Sequence, residues 1–220
     1  MNKETVAVII PAYNEAKTIG DVVCVAVLSS LIDEVIVVSD GSTDETVEVA
    51  THAGARTIDL RDNVGKGGAM IKGLEQTHAS IIVFLDADLL GLTEKHLEQL
   101  VRPVLDRTTS MQVGIRDRGR FFTVLTHWFP LIGGERALRR EVVDAIPHEF
   151  YRGFMIEAAF NYFCSSRKLP YGVVDLKGLS IRRKYEKVGW PKAVVQYLLM
   201  TGQILSSLIR VRFAKFIGKF

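Results

Sequence analysis

The chain has little cysteine. Cys24 and Cys164 are the only two in 220 residues, far apart and without a partner motif. That excludes a disulfide scaffold and a cysteine-type zinc site, and suits a reducing compartment. There is also little excess charge: 28 basic against 25 acidic residues leaves +3. Four of the cations, Arg210, Arg212, Lys215 and Lys219, lie in the last eleven positions. Without them the count is 24 against 25, or −1. A nucleic-acid binder spreads basic charge over a face, and this chain does not. No internal repeat, low-complexity stretch or linker is visible. Met1-Asn2-Lys3-Glu4-Thr5 runs straight into a strand with no signal-peptide pattern. The expectation is a cytoplasmic protein whose basic end allows peripheral contact with the inner membrane face. What is present is ample apolar material: 48% hydrophobic residues, enough for the core of one large domain.

Apolar runs of the buried-strand kind fall at Val6–Ile10, closed by Pro11, at Glu34–Val38 and at Ser80–Leu85. A shorter strand is expected over Arg56–Asp59. Helical segments are expected over Glu15–Leu31, from Thr43 to about Ala53, and over Gly67–Thr77. Strand and helix in alternation predict an α/β fold with a mostly parallel sheet covered on both faces. Beyond Asp88 the pattern gives a helix over Thr93–Leu105, a strand over Gln112–Ile115 and a Gly133-Gly134 joint. A helix over Glu135–Ile146, another over Phe154–Ser165 and a strand over Tyr171–Asp175 complete the reading.

Ligands collect at the carboxyl ends of such strands. Each of the three strongest strands ends in a polar cluster: Pro11-Ala12-Tyr13-Asn14-Glu15, Asp40-Gly41-Ser42-Thr43-Asp44 and Asp86-Ala87-Asp88. A strand-end Asp-x-Asp holds a hard divalent cation well, since Mg2+ and Mn2+ prefer oxygen ligands and share a diphosphate readily. Two solvated turn carboxylates are the plain alternative. Asp40 is placed to accept from a base N–H or a ribose hydroxyl, or to serve as a turn residue. Gly65-Lys66-Gly67-Gly68 opens a helix, where glycine backbone and helix N-terminus favour phosphate. Its spacing is not that of a P-loop, and no dinucleotide fingerprint follows the first strand, so ATPase and dehydrogenase readings lose support.

Pro-Ala-Tyr-Asn-Glu, Val-Ser-Asp-Gly-Ser-Thr-Asp-Glu-Thr, Asn-x-Gly-Lys-Gly-Gly-Ala and Phe-Leu-Asp-Ala-Asp occur in that order over about residues 5–90. Together they resemble the family 2 glycosyltransferases with the GT-A fold. Within these, the chain looks most like dolichol- and polyprenol-phosphate sugar synthases and glucosyl-3-phosphoglycerate synthases. The resemblance implies an inverting sugar transfer from a UDP- or GDP-sugar, dependent on Mg2+ or Mn2+. It implies that Pro11, Ala12, Tyr13 and Glu15 line the nucleoside site, with Asp40 at the base and Lys66 beside the nucleotide. Asp86 and Ala87 would stand near the ribose, and Asp86 and Asp88 would hold the metal.

The same resemblance puts arginines after the metal motif, and Arg116 and Arg136 lie nearest those places as candidates for an acceptor phosphate. Arginine forks suit phosphate, and Arg118, Arg120, Arg139 and Arg140 lie close by in the sequence. Glu157 falls where relatives carry an acid that acts as base. It is read as a base for a hydroxyl acceptor, a contact to the donor sugar, or a helix-surface residue. Relatives place a metal-binding histidine after the last strand, whereas here the stretch is Gly178–Tyr185 with Arg182, Arg183 and Lys184. The third metal ligand is therefore open, with His127 one candidate.

Lys192 and Arg210 bracket seventeen uncharged residues, interrupted by Gln196, Gln203, Ser206 and Ser207. The spacing of the apolar residues gives an amphipathic helix over about 191–220 rather than a span. The expected organisation is a GT-A domain over 1–190, divided near residue 110 into nucleotide-sugar and acceptor halves, followed by that helix. Polyprenyl phosphate is the favoured acceptor. Alternatives are a small soluble acceptor such as 3-phosphoglycerate, with the last helix as a core or homodimer element, and a GT-A-shaped module without turnover.

Overall fold

The computed structural model describes residues 4–116, 134–151 and 155–181. Its main element is a seven-stranded sheet. The strands are β1 (Val6–Ala12), β2 (Glu34–Asp40), β3 (Arg56–Leu60), β4 (Ile81–Phe84), β6 (Met111–Arg116), β7 (Arg136–Arg139) and β8 (Tyr171–Leu176). Their order is β3-β2-β1-β4-β7-β6-β8, and all are parallel except β7, which runs against both neighbours. A two-stranded ribbon pairs β5 (Leu89–Leu90) with β9 (Ser180–Ile181).

The helices are α1 (Ile19–Leu28), α2 (Thr46–His52), α3 (Gly65–Leu74), α4 (Glu94–Leu105), α5 (Arg140–Asp144) and α6 (Met155–Ser166). Alternate residues of β1 serve opposite faces. Val6, Val8 and Ile10 pack with residues of α1 and α4, whereas Ala7 and Ile9 pack with residues of α5 and α6 and with Met70 of α3. Burial on both faces is why these strands read as unbroken apolar runs. Helix α3 lies close on β1, since a Cβ on Gly73 would come within 2.5 Å of Ile9 Cγ2.

Two sequence expectations change. Strand β1 does not stop at Pro11 but continues to Ala12, with Pro11 opposite Val38. The Ile9 carbonyl accepts from Leu85 N, so residues 9 and 11 face β4. Pairing with β4 ends at Ile9, and the donor that Pro11 lacks falls where no ladder partner stands. The segment expected as one helix over Glu135–Ile146 instead forms β7 and then the short α5. Ala137 and Leu138 fill the slot between β4 and β6, each in the core of one face. Arginine, alanine and leucine are good helix formers, and pairing on both edges overrides that preference.

The start of the described chain is held by charge. The Ser80 hydroxyl and the Arg107 guanidinium, with help from Arg139, bring the Glu4 carboxyl down from its ordinary 4.5 to about 2, against the opposing effect of burial. A carboxyl depressed in this way contributes stability above about pH 4.5 and loses it as pH falls toward about 2. Glu4→Gln should therefore lower the unfolding midpoint at pH 7 and flatten its fall between pH 5 and pH 2. Superimposable pH–stability curves for the two proteins would show that Glu4 contributes nothing.

Candidate active site

Strands β2 and β3 lie to one side of β1 and β4 to the other, so the order in which strands are added reverses between β1 and β4. A crevice opens outside the carboxyl ends of strands at such a point. The loops after β1 and β2 are tied to each other beside it. Thr43 N donates to Asn14 Oδ1 (2.8 Å), Asn14 N to Ser42 Oγ (3.1 Å), Glu15 N to Thr46 Oγ1 (2.9 Å) and Ala16 N to Asp44 Oδ2 (3.2 Å). Pro11 and Ala12 are buried at the strand end, and the Tyr13 side chain is exposed at the lip.

Asp40 is buried at the end of β2. Its Oδ1 accepts from Val64 N at 2.7 Å, and its carbonyl accepts from Asn63 Nδ2 at 3.0 Å. The carboxylate thus fixes the turn that leads into α3. Thr18 Oγ1 donates to the Ala87 carbonyl at 2.8 Å, which ties the start of α1 to the Asp-x-Asp motif. The sequence reading missed Thr18, because nothing local marks that long-range bond.

Around Asp86 the structure assembles a row of alternating charges, from the half-exposed Lys66 to the buried Glu135 and Glu157. Lys66 Nζ donates to Asp86 Oδ1 at 2.7 Å and stands 3.7 Å from Glu157 Oε1. Arg116 Nη1 donates to Asp86 Oδ2 at 3.2 Å, and its Nε forms an ion pair with Glu135 Oε2 at 3.3 Å. Burial by itself would raise the Asp86 carboxyl, but Lys66 and Arg116 more than reverse this and hold it at about 2. Burial, reinforced by Asp86, pushes Glu135 up to about 7 despite Arg116 and Lys66. Lys66 is desolvated yet raised, because Asp86 and Glu157 favour its charged form.

Arg136 is 1% exposed. Its guanidinium carbon lies 5.6 Å from the Phe160 ring centroid, and Nη1 donates to the Glu157 carbonyl at 3.5 Å. Burial lowers its pKa, with Glu157 and Glu135 opposing. Arg136 therefore lies beneath the crevice, whereas the Arg116 side chain keeps 9% of its surface accessible. Of the sequence-predicted residues, Lys66, Asp86, Arg116 and Glu157 come together in this row, with Arg136 below them. Asp88 follows, partly exposed, in the turn between β4 and β5. Arg118, Arg120, His127, Arg182, Arg183, Lys184 and the helix expected over 191–220 lie outside the described residues. No helix among the described residues is long and apolar enough to cross a membrane.

Gly134, read from sequence as part of a joint, has a stricter reason to be glycine. A Cβ there would stand 2.5 Å from Asp86 Oδ2. Gly134→Ala should push the carboxylate aside at a cost of about 1–3 kcal/mol. A lowered melting temperature together with weakened binding of Mg2+–UDP is expected. Wild-type values for both would mean that Asp86 moves away freely.

A seven-stranded, mostly parallel sheet with this crevice is the GT-A arrangement, and solved structures of that fold match it closely. A model described as glycosyl transferase family 2 matches residues 7–162, and the chain belongs to that family. Glucosyl-3-phosphoglycerate synthase from Mycobacterium tuberculosis, solved with Mn2+, UDP-glucose and phosphoglyceric acid, is 27% identical with a TM-score of 0.76. That match covers 94% of this chain and 79% of that one. Glycosyltransferase AglD of Haloferax volcanii is 33% identical over 161 residues, 68% of this chain and 23% of the relative. Glucosyl-3-phosphoglycerate synthase of Mycolicibacterium smegmatis is 37% identical over 110 residues, 46% of this chain and 36% of the relative. The chain thus spans about a third or less of the length of these two curated relatives.

Proposed function

We propose that the protein transfers a sugar from a UDP-sugar to a phosphate-bearing acceptor, with Mg2+ or Mn2+ as the metal. The observation that carries this reading is the Lys66–Asp86–Arg116 cluster, set beside Asp88 at the carboxyl ends of β1 and β4. Support comes from solved relatives of the same fold that hold UDP with Mg2+ or Mn2+.

The residues present fit a divalent cation. Asp86 and Asp88 offer hard oxygen donors beside one another in the Asp-x-Asp motif. Among the described residues no third His, Cys, Asp or Glu completes a metal cluster. Diphosphate oxygens and water are the natural remaining ligands for such an ion. Asp88, with Asp86, would hold it. When bound, it supplies the counter-charge that stabilises the departing diphosphate.

The chain's own residues do the rest. The exposed Tyr13 ring and Asp40 are assigned to the base, and Pro11, Ala12 and Glu15 to the nucleoside side of the crevice. Lys66 keeps Asp86 ionised at neutral pH and lies beside the diphosphate. We assign Arg116, which keeps accessible surface, to a phosphate, and Arg136 to support of Glu157 from below. Glu157 Oε2 has no hydrogen-bond partner among the described residues and is assigned to a donor-sugar hydroxyl. A lipid phosphate attacks through its own ionised oxygen and needs no base, whereas transfer to the hydroxyl of a phosphorylated acceptor must remove a proton, for which Glu157 is the candidate base.

Two acceptors carry a phosphate that Arg116 could bind. The phosphoglyceric acid named in the solved relatives favours a small soluble acceptor. The apolar, basic sequence over 191–220 favours a polyprenyl phosphate at a membrane surface. Calorimetric titration with UDP and with GDP, with Mg2+, Mn2+ or EDTA, tests the donor half of the reading. Metal-dependent binding of UDP is expected, and equal binding in EDTA would overturn it.

A further inference from the structure

The geometry points to Glu135 as the positioning residue for Arg116: it anchors the Nε edge of the guanidinium so that Nη1 stays on Asp86 and the remaining donors face the phosphate site. The consequence for ligand binding rests on the function proposed above; the positioning itself does not.

Glu135 is 0% exposed, and neither carboxylate oxygen has a hydrogen-bond partner among the described residues. Its 3.3 Å contact with Arg116 Nε is an ion pair. Burying a carboxylate with so little compensation is costly, and burial pushes this one up to about 7. The backbone leaves it little choice of place. Gly114 N donates to the Glu135 carbonyl at 2.9 Å, and Arg136 stands opposite Val113 in the β6–β7 ladder. This pairing sets Glu135 beside the carboxyl end of β6, where Arg116 is the last residue.

Arg116 has a long, flexible side chain and several acids to choose from. Glu135, Asp86, Asp88 and Glu157 all favour its charged form, in that order after the opposing effect of burial. With acids on several sides, an unanchored guanidinium would divide its time among them. Holding Nε on Glu135 leaves the planar fork one orientation, with Nη1 on Asp86 Oδ2. Three N–H donors that neither contact uses then remain for phosphate oxygens. The ion pair of Glu135 is with Arg116, and it acts through that residue.

The test has two readouts. In 15N-labelled full-length protein, the Arg116 Nε–H resonance should exchange slowly with water, lose that protection in Glu135→Gln and keep part of it in Glu135→Asp. Mg2+–UDP affinity should fall about tenfold in Glu135→Gln, but change less than twofold when the same change is made in Arg116→Ala, as expected of coupled neighbours. An unaltered Arg116 Nε–H signal in Glu135→Gln would overturn the inference. So would an equal loss of affinity in the Arg116→Ala background. If the wild-type protein binds no nucleotide, the functional reading fails, and the Nε–H signal still decides the place of Glu135.

Discussion

Asp88→Ala should leave the fold intact and reduce sugar transfer by about a hundredfold or more. Asp88 lies partly exposed in the turn between β4 and β5, outside the packed core, so its removal opens no cavity. The loss falls on the chemistry, because the diphosphate would depart without its full counter-charge. Removing one group that stabilises developing charge in a site shielded from water costs on the order of 10²-fold or more in rate. Chelation with EDTA should have the same effect on the unaltered protein, and added Mn2+ should restore it. Full turnover in Asp88→Ala or in EDTA would remove the metal from the mechanism.

Arg136→Met should produce the largest loss of stability. The side chain is fully buried against Phe160 and lies among Glu157 and Glu135. Methionine can fill much of the volume but cannot neutralise two buried acids. Removing one partner from such a group costs about 3–5 kcal/mol. For a chain of this size that corresponds to a fall of roughly 10 °C in melting temperature. Thermal unfolding followed by circular dichroism reads it. A melting temperature within a degree of wild type, with a raised KM for the acceptor, would instead make Arg136 a direct phosphate ligand.

The parts of this molecule that sequence made legible are those set by local chemistry. Strands β1, β2 and β4 are buried on both faces, so their apolar runs have no polar breaks. The acids and glycines that follow them form short motifs that survive as words in the sequence. Strand β7 was not legible, because Arg136-Ala137-Leu138-Arg139 has the composition of a helix and becomes a strand only between β4 and β6. Glu135 was hidden by the same misreading, and Gly134 was read only as a joint. A helix beginning at Glu135 shows no ion pair with Arg116, and a glycine joint shows no close approach of Gly134 to Asp86. Arg136 illustrates the converse limit: the sequence offers it as a candidate for an acceptor phosphate, and only packing reveals that it is buried.

The most direct test of the account is release of UDP from UDP-glucose, measured with the full chain and Mn2+. Three arms are compared: no acceptor, 3-phosphoglycerate, and a polyprenyl phosphate in vesicles. The account predicts UDP release that depends on metal and is accelerated by a phosphate-bearing acceptor, with the faster acceptor arm identifying the carrier. If UDP release in every arm equals that of an Asp86→Ala, Asp88→Ala double variant, the proposed transfer is contradicted.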